Sequence, residues 1–301
     1  MWLILLMNAL FALSFTIAKA VLDYGKPLFF VGVRMVVAGA ILIAYIRWAK
    51  GEGALRIARK DWGMLGLLTV THIYFTYVLD LLALQHMSSF KGAFLYNLSP
   101  FITAFFSYFY FAETMTPKKW IGLAIGFSGF LPEIMNNVTD AQEGVESVVS
   151  WAEIMMIGSV VAASLGWVIL RNLVKKNYTP FTLNGIAMFI GGLASLLTSA
   201  LYERWDLDSP VFALKQFSML TVLIIVVSNI VLYNMYGFLL KKYTATFISF
   251  TGFVIPLFAA LFGWFFLHEA VSWHFPFSVL VVTAGLWLFY SEDLRQGYTA
   301  R

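Results

Sequence analysis

No cysteine occurs anywhere in the 301 residues. That excludes disulfides, thiolate metal sites and a cysteine nucleophile, and it leaves the redox compartment open. Charge is scarce as well: Asp, Glu, Lys and Arg make up 12% of the chain, against about 25% in an ordinary soluble domain. So little polar surface cannot cover a folded chain in water. Familiar signatures of enzyme chemistry are missing too. There is no GxxxxGK[ST] loop to cradle ATP phosphates, no HExxH zinc site and no GxSxG nucleophile turn. His72, His86, His268 and His274 show no metal-ligand spacing. The chain is therefore expected to be no enzyme and to hold no cofactor and no metal.

What is present is hydrophobic. Apolar residues make up 60% of the chain and aromatics 18%, with a mean hydropathy of +0.80. This predicts an all-α integral membrane protein whose outer solvent is the lipid bilayer. The net charge of +4 does not argue for nucleic acid, because the basic residues form no single patch. A span needs about 20 mainly apolar residues. Ten windows qualify: 2–22, 27–47, 62–84, 90–112, 119–137, 152–172, 181–202, 217–240, 244–267 and 274–290. The first has no basic leader and reads as a span, not a cleaved signal.

Lys and Arg in short loops orient the bundle. One side receives fourteen, from Arg47 and Lys50 through Lys118, Lys176 and Lys242 to Arg301; the other receives Lys26, Arg204 and Lys215. Both termini are thus expected in the cytoplasm. The acidic loop 138–151, with Asp140, Glu143 and Glu146, then lies outside.

The chain also resembles itself. An offset of 156 aligns Tyr77 with Tyr233, Leu84 with Leu240, Phe94 with Phe250, Pro100 with Pro256, Glu113 with Glu269 and Gly129 with Gly285. Proline and glutamate are rare in apolar spans, so their shared offset is hard to obtain from composition alone. A repeat of five spans is odd-numbered, so its second copy enters the membrane upside down. Inverted-topology repeats are a mark of secondary transporters, with the substrate site between the copies. The predicted organisation is a first five-helix repeat at 1–137, an acidic linker at 138–151, a second repeat at 152–290 and a cytoplasmic tail at 291–301.

Several stretches carry a family resemblance. They are "ALFALSFTIAK" (9–19), "KPLFFVGVRMVVAGAIL" (26–42), the Pro, Glu and Gly pattern of 83–129, and "SLGWVILRNLVKK" (164–176) with 244–285. In these the chain resembles the EamA-like branch of the drug/metabolite transporter superfamily, which has ten spans in two repeats. A Trp-Gly pair common in the first helix of that family is Phe11-Ala12 here, whereas Trp167 keeps the aromatic in the second copy. The resemblance implies a secondary active transporter that moves a small polar metabolite across a bacterial inner membrane by alternating access. Amino acids or amino-acid-like solutes are the implied class, S-adenosylmethionine among them; export of drugs or aromatic amino acids is the alternative. A non-transporting membrane enzyme or structural partner is the competing class. The lack of a catalytic constellation speaks against the first, and the intramembrane charges and the repeat speak against the second. Monomer and homodimer both remain open.

Charges within a bilayer cost at least about 2.5–3.5 kcal/mol each and tend to face the interior. Arg34 lies about seven residues, or roughly 10 Å at helical rise, inside the outer end of the second span. Lys19, Asp80 and Lys91 lie at a similar depth in neighbouring spans. Three cations and one carboxylate would suit a solute bearing a carboxylate. Bland readings stand beside this one. Lys19 and Lys91 can snorkel to the interface, and Arg34 and Asp80 can simply pair with each other. His72 and Asp80 are candidates for proton coupling, with helix packing the other reading of His72. Tyr77 and Tyr233 are singled out by the repeat and Trp167 by the family motif. Asn97 and Asn229 are buried polar groups suited to solute or to interhelical glue. Pro100 and Pro256 are expected to kink their helices and act as hinges. Glu113 and Glu269 read as helix-end anchors.

Overall fold

Three helices begin on a proline, whose missing N–H costs nothing in a first turn: α2 (Pro27–Lys50), α6 (Pro117–Ser128) and α8 (Pro180–Tyr202). Threonine caps two of them and one further helix. Thr116, Thr179 and Thr244 each accept a backbone N–H three residues on, satisfying a donor the helix leaves open. The computed structural model describes residues 2–87, 92, 95–129, 151–205, 208–255, 257–258, 261–262 and 275–297.

The first half runs α1 (Trp2–Val21), α2, then α3 (Trp62–Leu68) and α4 (Thr76–Leu84) joined by a wide π-helical stretch, Thr69–Phe75. A 3₁₀ turn, Tyr96–Leu98, leads into α5 (Ser99–Phe111), and α6 follows. The second half runs α7 (Trp151–Lys175), α8, then α9 (Leu214–Ile224) and α10 (Tyr233–Leu239) joined by a second π stretch, Ile225–Leu232. After these come α11 (Ala245–Thr251) with the 3₁₀ turn Gly252–Val254, and α12 (Phe275–Arg295). Among the described residues the structure is all helical, apart from one isolated bridge between Gly25 and Val211. Six helical stretches are long and apolar enough to cross a membrane: Trp2–Val21, Pro27–Lys50, Glu52–Leu84, Trp151–Lys175, Pro180–Tyr202 and Leu214–Leu239.

The two halves meet in reciprocal contacts. A Cβ added to Gly39 on α2 would sit 2.5 Å from the backbone nitrogen of Phe189 on α8. A Cβ added to Gly192 on α8 would sit 2.6 Å from the backbone nitrogen of Val36 on α2. Residues 39 and 36 are each 153 positions before their counterparts 192 and 189. Contact i to j′ matched by j to i′ is what a two-fold axis produces. The helices α6 and α12 repeat the pattern at the sequence offset of 156. Gly129 approaches Val282 as Gly285 approaches Gly126. The π stretches beginning at Thr69 and Ile225 and the 3₁₀ turns beginning at Tyr96 and Gly252 obey the same offset.

Polarity is arranged inside out. Trp48, Leu197, Met219, Val222, Leu280 and Trp287 are exposed, whereas Arg34, His72, Asp80, Asn184, Asn229 and Asn234 are buried. A soluble domain would have the reverse arrangement; with lipid outside, the polar groups gain by turning inward.

The ends of the bundle are tied between halves. At one end a buried ion pair joins Glu113, just past α5, to Arg171 on α7. A second joins Lys119 on α6 to Asp293 on α12, whose carboxylate also accepts from Thr244 Oγ1 at 2.9 Å. A third joins Lys176 Nζ to Asp61 at 2.7 Å. At the other end the Glu203 carboxylate accepts the N–H groups of Leu28 (2.7 Å) and Phe29 (3.0 Å), capping α2. Glu113 thus anchors a helix end, as its place in the sequence predicts. Pro100 is placed differently from the expected mid-helix kink. It stands in the first turn of α5, directly after the 3₁₀ turn, where no helical hydrogen bond is lost. Pro256, Lys91 and Glu269 lie outside the described residues, as does most of the 138–151 linker.

Candidate functional site

Helix α4 presents Tyr77 and Asp80, three residues apart and so on one face. Across from them α2 presents Arg34, which is only 1% exposed. The guanidinium carbon lies 4.2 Å from the centroid of the Tyr77 ring and 5.0 Å from that of Phe30, stacked as a planar cation on π faces. Arg34, Tyr77 and Asp80 line a cavity of about 40 Å³, completed by Phe11, Ser14, Phe15 and Ala18 of α1, Tyr96 and Ser228. Arg34 Nε and Nη2 have no hydrogen-bond partner, and neither does Asp80 Oδ1. The simple ion pair that would neutralise both residues is not made among the described ion pairs. Two opposite charges therefore face one small space with hydrogen-bonding capacity left over.

Below the cavity the aromatic groups are stacked in series. The Tyr233 hydroxyl donates to the Tyr77 hydroxyl. Trp167 of α7 lies flat on Tyr236, with ring centroids 3.6 Å apart and planes at 12°. Its ring is also 5.3 Å from Tyr233 and 4.1 Å from His72. His72 sits within the first π stretch and is buried, and neither ring nitrogen makes a hydrogen bond of good geometry. The imidazole reaches this position because Gly166 on α7 offers no side chain; a Cβ there would overlap the His72 ring.

The other predicted residues lie elsewhere. Lys19 Nζ donates to the carbonyls of Leu84 (2.5 Å) and Met87 (3.1 Å). It caps the C-terminal end of α4, a favourable place for a cation, and does not line the cavity. Asn229 Nδ2 points to Met35 Sδ at 3.0 Å between α2 and α8, outside the cavity. Asn97 is buried beside Tyr96, its Nδ2 without a partner. Tyr96, Ser228, Ser14 and Phe15 were not singled out by sequence. The Tyr96 hydroxyl meets Ser159 Oγ at 3.1 Å, and the four cavity residues come from three different helical segments that only the fold brings together.

A larger depression of about 550 Å³ lies between α1, α8 and α10, lined by Leu3, Phe181, Ile230, Met235, Phe238 and Lys242 among others. Its one buried polar side chain, Asn234, is already bonded to Asn184 and to the Ile230 carbonyl. Unmet hydrogen-bonding capacity, not volume, marks a solute site, so the small charged cavity is the candidate. Among the described residues no cluster of three His, Asp or Glu side chains is placed to hold a metal ion.

The chain matches the EamA-like transporter family over residues 1–131 and 150–291. It belongs to that family. As an EamA-like transporter, within the drug/metabolite transporter superfamily, it has well-covered relatives. A protein of Chlamydia muridarum named an S-adenosylmethionine/S-adenosylhomocysteine transporter is 34% identical, over 99% of this chain and 93% of that one. A protein of the same name from Chlamydia trachomatis serovar L2 is also 34% identical, over 99% of this chain and 90% of that one. A protein of known crystal structure shares the fold at a TM-score of 0.74 and 15% identity, covering 96% of this chain and 95% of that one. The EamA-like match stops at 131 and resumes at 150, so it leaves out most of the acidic linker.

Proposed function

We propose that this membrane transporter carries S-adenosylmethionine, S-adenosylhomocysteine or a closely similar amino-acid-bearing metabolite, and binds it at the Arg34–Tyr77–Asp80 cavity. One observation carries the reading: a buried arginine stacked on an aromatic ring, with Nε and Nη2 unspent, facing a cavity lined mainly by the first half and closed by Ser228 of the second. An arginine so placed suits a carboxylate. Phe11, Phe15 and Tyr96, which line the same cavity, supply aromatic surface for a nucleobase. The names of the two chlamydial relatives point to the same class of solute.

The proposed architecture is ten spans as two inverted five-helix repeats, 1–137 and 152–290, with the 138–151 linker outside and both termini in the cytoplasm. In this orientation the Glu113–Arg171, Lys119–Asp293 and Lys176–Asp61 pairs close the cytoplasmic end. A cavity of about 40 Å³ is far below the roughly 300–1,000 Å³ of a site for a ligand of this size. Loading therefore requires α1, α2 and α4 to part, which is the first step of alternating access. The 3₁₀ turns ahead of Pro100 and Pro256 supply breaks at which the helix ends can pivot. His72 and Asp80 are the candidates for coupling to protons, and a bacterial inner membrane is the proposed location.

The test is exchange in proteoliposomes. Vesicles loaded with S-adenosylhomocysteine are given labelled S-adenosylmethionine, with and without a pH gradient. Accumulation should depend on the purified protein and should fall by at least tenfold in Arg34→Ala protein that inserts normally. If neither compound moves in either direction under any gradient, the substrate assignment fails.

A further inference from the structure

The charges in the cavity are of opposite sign, which a carboxylate alone does not explain. Arg34 and Asp80 are 1% and 6% exposed, so both have lost most of their hydration. Leaving buried charges with open valences costs several kcal/mol, and the least costly remedy would be a direct pair between them. That pair is not among the described ion pairs. Arg34 is held face-on against Tyr77 at 4.2 Å, with the Tyr77 hydroxyl fixed by Tyr233 from the other half. Asp80 stands one helical turn further along α4 and keeps Oδ1 unpartnered. Donor and acceptor thus face the same cavity from two helices, each with capacity for a ligand group of opposite charge.

A ligand that satisfies both must carry an anion and a cation a few ångströms apart. The α-carbon of an amino acid does this, with its carboxylate and ammonium on one atom. We infer that Arg34 and Asp80 form a two-point clamp for the α-carboxylate and α-ammonium of the transported solute. The amino-acid end is therefore the end that anchors it. This rests on the functional reading above and adds to it: recognition begins at the zwitterion, and the aromatic lining of the cavity reads whatever the amino acid carries. A rival cation exists in S-adenosylmethionine, whose sulfonium could also sit near Asp80 or over the rings. S-adenosylhomocysteine lacks that charge but keeps the zwitterion, so the two compounds separate the possibilities.

The experiment measures competition against labelled S-adenosylhomocysteine by the purified full-length chain in lipid nanodiscs. On unaltered protein, decarboxylated S-adenosylmethionine and 5′-methylthioadenosine should each compete on the order of tenfold to a hundredfold less well than S-adenosylhomocysteine, the range for a lost charge-assisted hydrogen bond. In Asp80→Asn, S-adenosylmethionine and S-adenosylhomocysteine should weaken together by at least about tenfold, with 5′-methylthioadenosine unchanged. In Arg34→Gln, decarboxylated S-adenosylmethionine should lose its disadvantage. Equal competition by 5′-methylthioadenosine and S-adenosylhomocysteine on unaltered protein would overturn the clamp even if neither variant folds. Weakening of S-adenosylmethionine alone in Asp80→Asn would overturn it in favour of the sulfonium. Both results leave transport intact, whereas an absence of any adenosyl-ligand binding would remove the functional reading and the clamp with it.

Discussion

Tyr77 and Tyr233 are 156 residues apart, occupy equivalent positions in the two halves, and share a hydrogen bond between their hydroxyls. A residue that touches its own counterpart must lie on the axis relating them. The bond therefore ties the two halves directly to each other. It also links Arg34 in the cavity, stacked on the Tyr77 ring, to the Trp167 series below.

A double-mutant cycle tests that bond. Tyr77→Phe or Tyr233→Phe alone should each lower stability by about 1 kcal/mol, because one hydroxyl is left without its partner. The double variant should be hardly worse than either single one, with the non-additive remainder giving the coupling. Thermal unfolding of the detergent-solubilised protein reads all four corners. Simple additivity would mean that the hydroxyls do not interact.

The Glu113–Arg171 pair joins the end of α5 to α7 with both side chains less than a tenth exposed. Removing one partner strands a buried charge, at about 3–5 kcal/mol, whereas replacing both with apolar residues of similar size can be neutral or better. Glu113→Gln and Arg171→Met should each depress the melting temperature strongly, and the Glu113→Leu/Arg171→Met protein should recover most of the loss. Because the pair bridges the halves, the single variants should also admit a thiol reagent to a cysteine placed at Ser107, which is fully buried here. Unchanged melting and labelling in the single variants would show that the pair does not hold this end closed.

Much of this arrangement can be read from sequence, for a physical reason. Proline, glutamate, arginine and aspartate are costly in hydrocarbon, so each occurrence is a signal, and Pro100, Glu113, Arg34 and Asp80 stand out at once. The 156-residue offset could be recovered from the same rare residues. What could not be read is which way each helix faces. In a membrane bundle the lipid side and the packed side are both apolar, so the periodicity that orients a helix in a soluble protein is faint. Tyr96, Ser228, Ser14 and Phe15 look like any other aromatic or small residue until rotation places them at the cavity. Lys19 shows the converse. Its depth suggested a solute site, yet its length lets it reach the carbonyls of Leu84 and Met87 instead. The π stretches leave no compositional trace at all. They show themselves in wide-turn backbone bonds such as those from the Thr76 N–H to the Thr71 carbonyl and from the Tyr233 N–H to the Ser228 carbonyl.

Gly166 and His72 offer a test of the first π stretch, because each explains the other. His72 lies within the wide turn, and α7 receives its ring only because position 166 has no side chain. Gly166→Ala should therefore destabilise the protein by about 1–3 kcal/mol through overpacking, although alanine is the better helix former by about 1 kcal/mol. His72→Ala in the same chain removes the obstructing ring, so the double variant should recover the alanine's helical advantage and melt above Gly166→Ala alone. Gly63, which has open space where a Cβ would lie, supplies the control: Gly63→Ala should be neutral or stabilising. If Gly166→Ala and Gly63→Ala behave alike, α7 does not press on the imidazole, and His72 is free to titrate or move within the aromatic series. If suppression by His72→Ala is observed, the ring is wedged between helices of the two halves, and its role is to hold them in register beside Trp167.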